Sequence, residues 1–99
     1  MELTERTRDR LRALFAPSAQ AAAAWLLEHE CGTNLPFCED SDGEALERIR
    51  FAVLKLSGGD TARLHEAVAL AQTDWRDALM AAGFGESTTV HLDWDPAGE

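Results

Sequence analysis

The stretch LERIRFAVLKLSGGDTARLHEAVALAQTDWRDALMAAGF, residues 46–84, decides the fold. Two helical patterns meet in it at Gly58-Gly59-Asp60. At about 100° per residue, Leu64, Ala67, Val68, Ala71, Trp75, Ala78, Leu79 and Ala82 fall on one stripe, the signature of an amphipathic helix. Leu46, Ile49, Ala52, Val53 and Leu56 form a second stripe on the preceding helix. The two stripes predict a helical hairpin over 44–84. Phe51 and Leu54 lie on the other side of the first helix, among Glu47, Arg48, Arg50 and Lys55. Something has to cover them.

Local signals bound these helices. An acidic first turn favours the start of the first near Glu44, and Gly58-Gly59 ends it. Asp60 is a good N-cap for the second, and Gly83 a good left-handed terminator after which Phe84 folds back. Thr73-Asp74 offers a second cap in mid-helix. The apolar stripe crosses it without a phase slip, so one helix is expected, with any bend at that point.

Outward from this hairpin, residues 17–32 read as an Ala-rich helix. Pro17 suits its first turn, with Ser18 a competing cap, and Gly32 is placed to end it. Trp25, Leu26 and Leu27 supply its bulk. Residues 1–16 read as a further helix with a thin apolar edge of Leu3, Leu11, Leu14 and Phe15. Glu5–Arg8, Asp9–Arg12 and Glu2–Arg6 are in reach as surface pairs worth a few tenths of a kcal/mol each. Ala16-Pro17 stops that helix.

Residues 33–43, TNLPFCEDSDG, are turn-rich and acidic. In the tail, 85–99, Val90, Leu92 and Trp94 alternate with polar residues. A lone strand has no partner in a helical domain, so an extended C-terminal arm anchored by Trp94 is expected. The whole, 1–99, is a single all-α domain: a small antiparallel four-helix arrangement with that arm.

Eighteen acidic residues against nine basic give a net charge of −9. Such a charge repels phosphate, which argues against direct nucleic-acid binding. No apolar run reaches the roughly 20 residues of a membrane span. The opening MELTERTRDR lacks the apolar core of about 7–15 residues that a secretory signal needs. A cytoplasmic address is therefore expected, and there Cys31 and Cys38 are free thiols.

The combination ERIRFAVLKLSGGD, LHEAVALAQTDWRDALMAAGFG and a following His resembles small uncharacterised bacterial all-helical proteins, over about residues 46–94. The resemblance implies an all-helical fold and a bacterial source, and carries no catalytic residues across.

Candidate chemistry is sparse. His29, Cys31 and Cys38 are zinc-type donors, with His65 or His91 as a fourth, but their spacing departs from the usual paired ligands. The zinc-deaminase signature fails at position 31 and lacks a second Cys after Cys38. A redox pair is disfavoured because Cys31 lies near a helix C-terminus among carboxylates. Asp40-Ser41-Asp42-Gly43 fits a calcium loop only in the middle, since Cys38 and Ile49 occupy its two ends. His65 sits beside the stripe as a boundary residue. No nucleophile stands with a base at catalytic spacing, and GGDTARL lacks the Lys of a phosphate loop.

The expected role is a small acidic cytoplasmic protein–protein interaction module, without catalysis or cofactor, whose partner is another protein or a second copy. Phe51, Leu54 and Trp94 are its interaction candidates, unless the arm covers them within one molecule. The alternatives are a zinc protein using His29, Cys31 and Cys38, and an acidic nucleic-acid mimic that binds a basic protein.

Overall fold

A computed structural model describes residues 3–31, 43–85 and 90–94. Those residues form four α-helices and no strand: α1 (Glu5–Leu14), α2 (Pro17–Glu30), α3 (Gly43–Ser57) and α4 (Thr61–Ala82). A short 3₁₀ helix, η1 (Val90–Asp93), follows. Residues 1–2, 32–42, 86–89 and 95–99 lie outside the described residues, and with them Gly32, Cys38 and Asp40, Ser41 and Asp42 of the calcium-like motif.

The hairpin stripes are buried as their spacing predicts. On α4, Leu64, Ala67, Val68, Ala71, Ala78, Leu79 and Ala82 are all inside, and Trp75 is partly covered. α3 goes further than its stripe. Phe51 and Leu54 are as buried as Ile49 and Val53, and Glu47, Arg50 and Ser57 are buried with them. A helix buried along two apolar sides is a core element and not an amphipathic lid. α1 and η1 supply the cover that its second apolar side lacked, and of the charged residues on that side Glu47 and Arg50 are buried, Arg48 is half-buried and Lys55 is exposed.

Arg50 explains how such a side chain survives inside. Its Nε donates to the Cys31 carbonyl at 2.9 Å, and an Nη donates to the Leu27 carbonyl at 3.3 Å. Those carbonyls belong to the last turn of α2, which has no later helical N–H to bond. A cation there also meets the negative end of the helix dipole. Burial lowers the Arg50 pKa from its ordinary value, with the Cys31 thiol and Glu28 acting to raise it.

The two tight links are built locally. Pro17 takes the first position of α2, and Gln20 Nε2 donates back to the Phe15 carbonyl at 3.0 Å. Between α3 and α4, Gly58 and Gly59 both have positive φ, +58° and +89°. A Cβ on Gly58 would meet nothing, whereas one on Gly59 would lie 2.5 Å from the Leu14 carbonyl oxygen. The hinge is thus pressed against the end of α1. Asp60 Oδ1 then accepts from the amide of Ala62 at 2.8 Å, as an N-cap should.

α4 is not one uninterrupted helix. Asp74 leaves the helical region, with φ −156° and ψ 101°. Thr73 Oγ1 donates back to the Ala69 carbonyl, and Asp74 Oδ1 accepts from the Arg76 amide. These are the bonds of a bent helix end and a fresh cap. Local capping broke the ladder while the stripe kept its phase. Gly83 ends the second piece in the left-handed region, with Phe84 N–H bonded back to Leu79.

Of the surface pairs expected on α1, Asp9–Arg12 forms, at 2.6 Å. Arg8 reaches Glu28 on α2 and Arg6 approaches Glu47 on α3, so two of these cations tie helices together, while Glu2 lies outside the described residues. Within the stretch expected to be extended, η1 coils into a turn closed by Trp94 N–H bonding to the His91 carbonyl. A single strand has no ladder to join, and a turn satisfies its backbone locally.

Two outcomes follow. Gly58→Ala should cost roughly 1–2 kcal/mol, the penalty of a left-handed Cβ, and Gly59→Ala distinctly more, read as urea midpoints. Arg50→Ala should lower unfolding free energy by about 2–3 kcal/mol, while Arg12→Ala should stay within about 0.5 kcal/mol.

Candidate functional site

The sequence-predicted interaction residues lie inside the molecule. Phe51 and Leu54 are fully covered, and Trp94 is buried with them. Phe51 meets Trp94 edge to face at 6.0 Å between ring centroids and His91 at 5.2 Å. The Arg10 guanidinium lies over the Phe51 ring at 5.3 Å and donates through Nε to the Trp94 carbonyl. The surface they were expected to offer a second chain is occupied by α1 and η1 of the same chain.

Two of the proposed zinc donors, His29 and Cys31, are among the described residues. His29 is exposed and stacked on Trp25, with centroids 4.6 Å apart, and its Nδ1 pairs with the Trp25 carbonyl. Cys31 is fully buried. Cys38 lies outside the described residues, among which no group of three His, Cys, Asp or Glu could hold a metal ion. His91 is at the other side of α3, against Phe51 and Phe84.

The surface feature that stands out is on α2. Trp25 is 55% exposed, although it is among the largest apolar side chains of the protein. It opens onto a groove of about 330 Å³ between α2 and α4, floored by Leu26 and Val68 and edged by His65, Gln72 and Glu30. Gln72 Nε2 bridges the Glu30 carbonyl and carboxylate at 2.9 and 3.1 Å, which fixes the far end of the groove. The His29 ring backs Trp25 from the turn above and limits its rotamers. The arrangement is an apolar slot with a wide aromatic wall and a polar rim. It holds no nucleophile placed against a base.

Reading Trp25 as core bulk misses this. Ala23, Leu26 and Leu27 are the buried residues of α2, and they already make an i, i+3, i+4 face. Trp25 lies about 100° from Leu26, on the outer side. The i, i+4 spacing of Trp25 and His29 was the signal for a stacked pair on that side.

A second cluster joins α1 to α3. Thr4 caps α1, accepting from the Thr7 amide at 3.2 Å, and donates through Oγ1 to Glu47 Oε1 at 2.8 Å. Its proton being committed there, Thr4 Oγ1 receives from the Thr7 hydroxyl at 2.9 Å. Glu47 also lies 4.0 Å from Arg6.

Comparisons with protein families, curated proteins and solved structures found no match to this chain.

Burial sets thiol reactivity. In a Cys38→Ser variant, Cys31 should react with a disulfide reagent only slowly in the native state and rapidly in denaturing urea, followed by absorbance of the released thiol. Fast native labelling would place Cys31 at the surface.

Proposed function

We propose that this protein is a small acidic docking module of the cytoplasm, without catalytic activity, that binds a basic amphipathic helix of another protein along the Trp25 groove. The observation that carries this is the exposed, His29-backed Trp25 beside an apolar slot. Rigid aromatic side chains in apolar clefts are the usual anchors of protein interfaces, and amphipathic helices seat in grooves of this kind. The net charge of −9 steers basic partners in and repels a second copy, which favours a heterologous partner over the homodimer. The nucleic-acid-mimic reading uses the same charge but gives Trp25 no role. Among the described residues no helix is long and apolar enough to cross a membrane.

The frame for this module is four helices in antiparallel order with the residues after Gly85 as an arm. Links of two and three residues, Phe15-Ala16 and Gly58-Gly59-Asp60, support the reversals. The non-catalytic reading rests on the sequence, where no nucleophile stands with a base.

A labelled Leu/Lys helical peptide of about five turns, roughly 18 residues, is a suitable probe by fluorescence anisotropy. It should bind and should release at high salt, while a Leu/Glu peptide should not bind. Trp25→Ala should weaken binding at least tenfold, about 1.4 kcal/mol, with the thermal midpoint unchanged. Equal binding by the variant would sink the assignment of the groove, and a native mass spectrum showing a stable dimer would overturn the choice of partner.

A further inference from the structure

His91 is 3% exposed, and its Nδ1 is buried without a hydrogen-bond partner. It is held by aromatic edges, Phe51 at 5.2 Å and Phe84 at 6.3 Å. A neutral imidazole fits such a pocket poorly, because one ring nitrogen has lost water and gained nothing. A charged imidazole fits it worse. α1 brings Arg6 and Arg10 to this corner, and α3 brings Arg48, which donates to the Phe84 carbonyl at 3.2 Å. Glu47 is the one carboxylate among the described side chains whose field reaches the ring, and it is already engaged by Thr4 and Arg6.

The same residue belongs to the turn that covers the apolar side of α3. His91 and Trp94 are consecutive contacts on Phe51 and Phe84, linked by the Trp94 N–H bond to the His91 carbonyl. We infer that Val90–Trp94 is an acid-released latch: protonation of His91 expels this turn from the corner between α1 and α3 and uncovers the aromatic faces of Phe51 and Phe84. No covalent bond changes beyond the proton taken from solvent, and the Arg10 hydrogen bond to the Trp94 carbonyl is given up.

Burial, the largest influence, lowers the imidazole from its ordinary value. Glu47 acts to raise it, and Arg48, Arg6 and Arg10 to lower it. The released turn takes up a proton from about pH 6.5 downward, the ordinary His range, and the docked turn only at lower pH. Docking is therefore complete above that pH and is lost as pH falls below it.

The test uses the full chain carrying Trp25→Phe and Trp75→Phe, which leaves Trp94 as the single indole. Between pH 8 and 5, emission should shift to the red and binding of a hydrophobic dye should rise, with helical circular dichroism retained. His91→Gln, which cannot take the charge, should abolish both changes. An unaltered transition in that variant, or none in the parent, overturns the latch. Should His91→Gln fail to fold, imidazole and Trp94 indole resonances in the parent should titrate together. Titration of His91 with a static Trp94 overturns it equally.

Discussion

The guanidinium of Arg50 in the core, bonded to the last carbonyls of α2, is the constraint around which the other helices arrange themselves. A buried cation has to be satisfied from a fixed direction, so it sets where α2 ends relative to α3. Hydrophobic burial alone would let α2 slide along its Ala-rich surface, since small side chains give little register. With the end of α2 pinned, Leu26 and Leu27 are held inside, and Trp25 is left exposed at the wall of the groove beside α4. The aromatic wall of the groove is thus a consequence of an ion in the interior.

The opposite side of α3 is held by a different chemistry. Arg10 covers Phe51 and bonds to the Trp94 carbonyl, and Arg48 bonds to that of Phe84. These arginines use their stems and flat heads as packing material as much as charges. The acidic excess of the chain therefore coexists with a corner rich in cations. One carboxylate, Glu47, is built into it by the cap of α1.

Much of the helical frame was legible from periodicity and capping residues. The stripe from Leu64 to Ala82, the Gly58-Gly59 hinge and the Asp60 and Gly83 termini are local signals, and local bonds realise them. Three features were not legible, for three reasons. Arg50 reads as solvent-facing because nothing nearby in sequence announces a helix end 19 residues away. Phe51 and Leu54 read as a patch awaiting either a second chain or the C-terminal segment, and the part of their cover that comes from α1 has no local signal. The break at Asp74 was visible as a cap but outweighed by the continuing stripe, since burial and the hydrogen-bond ladder are separate conditions.

That break divides α4 into two hydrogen-bonded ladders which share one apolar seam. Fraying that starts at Gly83 travels residue by residue only as far as Asp74, whose backbone leaves the helical region. The last two turns thus form a separate unit of amide exchange, able to open while Thr61–Thr73 stays protected. A stoppage of this kind lets the chain loosen around Phe84 while the part of the seam from Leu64 to Ala71 stays closed.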